Sequence, residues 1–227
     1  MKIVALSDTH GEHRSIDKED VPKGDVLIHA GDFTKHGRIN ELEDFIEWFS
    51  QFPHEHKIFV AGNHDACMQN HENEELPINP EMKDKINEIL SDAWFEDNII
   101  YLHNSGKTIN GITFYGSPYS NTLPDWHFNT DDEENEGVWE GIFDDTDVLI
   151  THGPPKGKLD YLGGEWNEHI GDEDLAEKVQ ELDLEAHIFG HVHSHNGSDG
   201  ISYNVSILNE DYEIDSKPLV IEIESGK

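Results

Sequence analysis

Residues 57–65 read Lys57-Ile58-Phe59-Val60-Ala61-Gly62-Asn63-His64-Asp65. A short apolar run rich in β-branched and aromatic side chains, stopped at once by glycine, reads as a strand buried on both faces. The amide, imidazole and carboxylate that follow fall at its carboxyl end, where open α/β sheets collect binding residues. The same arrangement recurs outward from this stretch. Residues 2–6 run into Asp8 and His10. Residues 25–29 run into Gly31-Asp32, residues 147–151 into His152-Gly153, and residues 186–189 into Gly190-His191-Val192-His193.

Between these strands lie helical patterns. Leu42, Phe45, Ile46, Phe49 and Phe52 recur at spacings of three and four within 40–52, and Pro53 ends the run. Residues 80–91 carry Met82, Ile86, Ile89 and Leu90, and residues 172–184 carry Leu175, Val179, Leu182 and Leu184. Residues 99–102 and 108–115 read as strands, with Asn110-Gly111 as a two-residue hairpin turn. Residues 201–207 and 218–224 read as further strands joined by a polar connection. The acidic run Asp131–Glu136 reads as a solvated insertion. No repeat or linker divides the chain, so residues 1–227 are expected to form one layered α/β or α+β domain.

Composition narrows the function classes. The 227 residues carry 15 Lys plus Arg against 49 Asp plus Glu, a formal net charge of −34. A surface this acidic repels long nucleic acid and favours small partners. The single cysteine, Cys67, excludes an intramolecular disulfide framework and fits a reducing, cytoplasmic setting. No segment approaches the roughly 20 apolar residues of a membrane span, and the first apolar run is too short for a signal peptide.

Asp8, His10, Asp32, Asn63, His152, His191 and His193 all follow strands. The pairs Asp8/His10 and His191/His193 are two apart, so extended chain would turn each pair into one pocket. The glycines before Asp32, Asn63 and His191 allow close backbone approach. A set mixing carboxylate, imidazole and amide oxygen suits borderline divalent ions such as Mn, Fe, Zn, Co or Ni, with Mn favoured, better than a thiolate or all-oxygen site. Seven candidates exceed one ion's need and match two ions sharing a carboxylate. That centre serves hydrolysis of phosphoesters.

In order, these motifs (D-x-H, GD, GNHD, H, GHxH) resemble the calcineurin-like metallophosphoesterase superfamily. Gly31-Asp32-Phe33-Thr34, Gly116-Ser117-Pro118-Tyr119, Asp125-Trp126 with Phe128-Asn129, Thr151-His152-Gly153-Pro154-Pro155 and Ile188-Phe189-Gly190-His191 resemble its class III phosphodiesterase-like branch over nearly the whole chain. The resemblance implies a four-layer α/β/β/α sandwich with two mixed sheets flanked by helices. It implies that Asp8, His10, Asp32 and His193 hold one metal, and that Asp32, Asn63, His152 and His191 hold a second, with Asp32 bridging. A hydroxide between the ions would attack phosphorus. Asn63 and His64 would contact the phosphate, and His64 would act as general acid or as charge stabiliser.

One departure matters. The protein-phosphatase branch reads GDxxDRG, whereas this chain reads Gly31-Asp32-Phe33-Thr34-Lys35-His36-Gly37. The second Asp is missing, which speaks against an Asp–His dyad and against protein phosphatase activity. The expected function is hydrolysis of small phosphodiesters, cyclic nucleotides among them. Alternatives are a nuclease or phosphomonoesterase of the same superfamily, or a binding scaffold without catalysis. The oligomeric state stays open. His29 reads as a core residue, His195 as a loop residue, and Cys67 as a buried hydrophobe rather than a nucleophile. His13 and His36 are weak substrate-contact candidates. Trp126 and Phe128 read as packing or as walls of a base pocket.

Overall fold

Apolar side chains alternate along the strands of two stacked sheets, and the alternation sets the layers. The computed structural model describes residues 1–72, 80–121, 126–130, 137–163 and 167–224. Its strands are β1 (Lys2–Leu6), β2 (Val26–Ala30), β3 (His56–Val60), β4 (Ile99–Tyr101), β5 (Ser105–Ile109), β6 (Ile112–Ser117), β7 (Val148–Thr151), β8 (Tyr161–Leu162), β9 (Glu168–His169), β10 (Ala186–Phe189), β11 (Gly197–Asp199), β12 (Ser202–Asn204) and β13 (Leu219–Glu222). The helices are α1 (Ile39–Ser50), α2 (Ala66–Glu72), α3 (Pro80–Asp97) and α4 (Glu173–Glu181).

One sheet has the order β13-β1-β2-β3-β4, with β13 antiparallel to its neighbour and the rest parallel. The second has the order β11-β12-β10-β7-β6-β5, parallel except at its two edge strands. Ile3, Ala5, Val26, Ile28, Val60, Phe114, Ile150 and Ile188 meet in the core between the sheets. Their alternate neighbours Val4, Leu6, Leu27 and Phe59 face out, beneath Phe45 and Phe49 of α1 and Ile86 of α3. Leu149 and Tyr115 face out of the other sheet beneath Trp139 and Leu175. The result is the expected α/β/β/α order, driven by burial of two opposite faces of each sheet.

Local chemistry fixes the helix starts. The Glu41 carboxylate accepts from the backbone N–H of Arg38 at 3.0 Å and of His36 at 3.2 Å, ahead of α1. Asp172 caps α4, accepting from Leu175 N at 2.7 Å and from Trp139 Nε1 at 3.0 Å. The Asn110-Gly111 turn joins β5 and β6 with φ +52° and +85°, as a two-residue hairpin requires.

Several boundaries differ from the sequence reading. α3 runs six residues past the expected end at 91, because Ala93 continues its buried face. The expected strand 201–207 is β12 followed by a single bridge from Ser206 to Ser7. The acidic run 131–136 lies outside the described residues, as does Asp125. Among the described residues no helix is long and apolar enough to cross a membrane.

His187, on β10, illustrates the cost of polar groups in this interior. The Thr151 hydroxyl donates to Gly153 O at 2.7 Å and therefore accepts from His187 Nε2 at 2.8 Å. His187 Nδ1 is left buried without a partner. Burial pushes the imidazole down to about 3 from its ordinary 6.5. The folded state excludes a proton that the unfolded chain binds, so the contribution holds above pH 6.5 and is lost as pH falls toward 3. Between pH 7 and pH 5 that loss is roughly 2 kcal/mol. Urea denaturation should show wild type losing more stability over this interval than His187→Gln, by about that margin. Parallel pH profiles would remove His187 as the cause.

Candidate metal centre

The polar strand ends of both sheets converge at one edge of the sandwich. Asp8 and His10 follow β1, Asp32 follows β2, Asn63 and His64 follow β3, His152 follows β7, and His191 and His193 follow β10. Asp8 and His152 are fully buried, and His10, Asp32 and Asn63 nearly so. A pocket of about 190 Å³ opens above them, lined in part by His10, Asp32, Asn63, His64, His191 and His193.

The route by which the side chains reach it differs from the extended-chain reading. Asp8, His10, Asp32 and His191 have φ of +55°, +43°, +57° and +68°. L-residues rarely adopt this left-handed region, and its concentration on four pocket residues marks a functional constraint. The chain curls at each strand end rather than running on. Asp8 and His10 still meet, in a group with His193. His191 instead joins Asp32 and His152. A third group comprises His10, Asp32 and His64, and in all three the potential ligand atoms lie within 4.8 Å of one another.

Hydrogen bonds fix which imidazole nitrogen faces inward. His152 Nδ1 donates to Ala30 O at 3.0 Å, and His193 Nδ1 donates to Asn209 O at 3.1 Å. Their Nε2 atoms point into the site. His152 Nε2 lies 3.0 Å from Asn63 Oδ1 and 3.3 Å from Asp32 Oδ2. His193 Nε2 lies 3.2 Å from His10 Nε2 and 3.6 Å from Asp8 Oδ1, and His10 Nε2 lies 3.7 Å from Asp32 Oδ2. Atoms able to donate a lone pair crowd together here, an arrangement that bound cations, or protons shared among these groups, stabilise. Donor atoms held at ~2.1 Å by a divalent ion stand ~3.0–3.4 Å apart, so the spacing fits such ions. The backbone acceptors behind the histidines are the usual means of orienting metal-binding imidazoles.

Electrostatics agree with this donor set. Burial pushes the Asp8 and Asp32 carboxyls up, but the neighbouring His193 and His152 prevail and hold both below the usual carboxylate range. Burial pushes His10 down to about 4 and His191 to about 3, so both are neutral and able to donate a lone pair. Burial also opposes the charged form of His152, yet Asp32 carries it up to about 9, so this imidazole holds a proton against Asp32 that a metal ion would displace.

Glycine permits the crowding. A Cβ at Gly190 would collide with Asp8 Oδ2 and Ser7 Oγ, and one at Gly62 would lie 2.7 Å from Asp32 N and overlap Asp32 Oδ1. The Ser7 hydroxyl bonds Asp8, and His191 N–H donates to both Asp8 oxygens at 3.0 and 3.1 Å.

Other residues divide as follows. His64 N donates to Asp32 Oδ1 at 2.8 Å, while the His64 ring stands 4.5 Å from His10 and 4.6 Å from Trp126. Phe128 is fully buried packing, and Cys67 is buried. His29 is buried against Thr9, and His195 sits half-buried near Tyr161. His13 pairs with Asp44 inside the helix layer and His36 is exposed; neither is among the residues that line the pocket. Sequence reading missed Leu162, Glu210 and Tyr212, which line the pocket. It left Glu210 and Tyr212 in the polar connection between the last two strands. A single aromatic, Tyr212, inside that connection was the available signal. Asp65 does not support the His64 ring; it ties the loops around Asp32 and Gly62 together.

Comparison with known proteins agrees with this geometry. A family model described as calcineurin-like phosphoesterase matches residues 1–195. The chain is 37% identical over 229 residues to UPF0046 protein K07C11.7 of Caenorhabditis elegans, covering 98% of this chain and 75% of that one. It is 33% identical over 242 residues to metallophosphoesterase domain-containing protein 1 of Homo sapiens, covering 98% and 71%. A solved crystal structure shares the fold with a TM-score of 0.60 at 16% identity, over 90% of this chain and 88% of the other.

Proposed function

Since the chain belongs to the calcineurin-like phosphoesterase family, we propose that it is a dinuclear metal-dependent hydrolase of small phosphodiesters, working as one domain. The observation that carries this reading is that the ligand groups chain together through shared members, His10 joining Asp8 and His193 to Asp32, and Asp32 joining His10 to His152 and His191. Asp8, His10, Asp32 and His193 would hold one ion, and Asp32, Asn63, His152 and His191 the other. Bound there, two divalent ions, manganese foremost, would supply an activated water and neutralise phosphate charge.

The chain's own residues orient the ester. Asn63 and His64 line the pocket together with Asp32 and would bind phosphate oxygens. Among the described residues no carboxylate hydrogen-bonds the His64 ring, and the Asp65 oxygens are taken up by the backbone N–H groups of neighbouring loops. Its Nδ1 instead faces Lys35 O at 3.5 Å, which leaves Nε2 to stabilise or protonate the leaving oxygen. The missing dyad favours small esters over phosphoproteins. A pocket of about 190 Å³ and a charge of −34 favour small substrates over long nucleic acid.

The test is a screen of metal-stripped protein resupplied with Mn, Ni or Co against bis(p-nitrophenyl) phosphate and p-nitrophenyl phosphate. The expected result is metal-dependent turnover with preference for the diester. No turnover of either ester with any of these ions would remove the enzyme reading, and cleavage of oligonucleotides at moderate salt would favour a nuclease.

A further inference from the structure

The wall of the pocket beside His10 and His193 is one tightly folded loop. Leu208 and Ile214 bridge its base, and Asp215 N donates to Ile207 O at 3.0 Å. Inside it, Asn209 Oδ1 accepts from Asp211 N and Glu213 N, both at 3.0 Å. Asn209 O accepts from Tyr212 N at 2.9 Å as well as from His193 Nδ1. One residue thus orients a candidate metal ligand and shapes the loop above it. Tyr212 is held at φ +61°, a conformation unusual for a bulky side chain. Its ring stands 5.0 Å from the His10 ring and 5.4 Å from the His193 ring, and it remains 46% exposed. Glu210 is solvent-exposed and lines the same pocket as Asn63 and His64.

We propose that this loop selects substrates by charge, with Glu210 turning away the second negative charge of a phosphomonoester and admitting the single charge of a phosphodiester. The proposal rests on the phosphoesterase reading and deepens it. A diester carries one negative charge at neutral pH, whereas a monoester with a second pKa near ~6 is largely dianionic. A carboxylate lining the pocket penalises the dianion more. Because Glu210 is exposed, the penalty is modest and salt-sensitive. The hydrogen-bonded loop holds the Glu210 backbone at the pocket, and Tyr212 lines the wall with it.

The experiment compares wild type, Glu210→Gln, Glu210→Asp and the same-loop control Glu213→Gln, all loaded with manganese, at low and high salt. Activity toward the two nitrophenyl esters is paired with calorimetric binding of inorganic phosphate and dimethyl phosphate. Glu210→Gln should raise kcat/KM for the monoester and tighten phosphate binding, each by roughly three- to tenfold at low salt. The diester and dimethyl phosphate should change less than about twofold, and the gain should shrink at high salt. Glu210→Asp and Glu213→Gln should behave as wild type. Unchanged phosphate affinity and unchanged ester preference in Glu210→Gln would overturn this inference, as would an equal shift in Glu213→Gln. Phosphate binding that tightens as expected in a protein with no turnover would uphold charge selection and overturn only the catalytic reading.

Discussion

Asp32→Ala is expected to release both metal ions and to cut turnover on the order of a thousandfold or more. The reason is topological. Asp32 Oδ2 lies 3.3 Å from His152 Nε2 and 3.7 Å from His10 Nε2, so the carboxylate stands between the two halves of the site. Its other oxygen accepts from His64 N at 2.8 Å and fixes the start of the loop that carries the phosphate-contacting residues. The truncation therefore removes a shared ligand and a positioning bond together. It also takes from His10 and His152 the negative charge that each has beside it. His191→Ala should differ in kind: that imidazole belongs to a single group, so one ion should remain. Elemental analysis of the purified variants after dialysis reads this directly, and circular dichroism checks that the fold persists. Two ions retained by Asp32→Ala would refute the shared role, whatever the activity.

How much of this was legible in the sequence follows from the range of the forces involved. β1, β2, β3, β7 and β10 are visible because strands buried on both faces must be continuously apolar, and their ends must stop at polar residues that the core cannot hold. Seven candidate ligands stood out for the same reason, as the polar groups on the ends of those runs. The backbone that aims them was not visible. The positive φ of Asp8, His10, Asp32 and His191 arises from loops of different strands closing on one another, and spacing alone implied extended chain. Contacts between residues far apart in sequence were equally hidden. His193 is fixed by the carbonyl of Asn209, and every residue offers a carbonyl, so no side-chain pattern announces it. Glu210 looked like one more acid among 49, since only the folded loop turns it to the pocket. α2 was missed because its seven residues follow the motif loop at once, with too few turns for a period to show.

Asp65 makes the strongest case for what spacing conceals, and it carries the second large effect. Its carboxylate is fully buried and accepts from five donors. Asp32 N and Gly62 N lie at 2.9 Å from one oxygen and Phe33 N at 3.3 Å; Thr34 N lies at 2.8 Å from the other and Thr34 Oγ1 at 2.7 Å. One side chain thus joins the loop after β2 to the loop after β3, and so holds Asp32 in register with Asn63 and His64. Asp65→Ala strands four backbone N–H groups in the interior, which should cost about 3–5 kcal/mol of stability. Asp65→Asn keeps one accepting oxygen. Turned toward Asp32, Phe33 and Gly62 it satisfies three of those groups, while its amide meets the Thr34 N–H donor to donor. The loss should then be about 1–3 kcal/mol. Metal affinity should fall by roughly 10–100-fold in the variant that still folds, because the staple orients a ligand without touching the ion. Urea denaturation of metal-free protein separates the stability effect from any loss of bound metal, and titration of the refolded variant with manganese measures the second. A wild-type unfolding midpoint in Asp65→Ala would show that the loops hold each other without this carboxylate. Stability lost with metal affinity intact would show that Asp32 finds its place by its own backbone conformation.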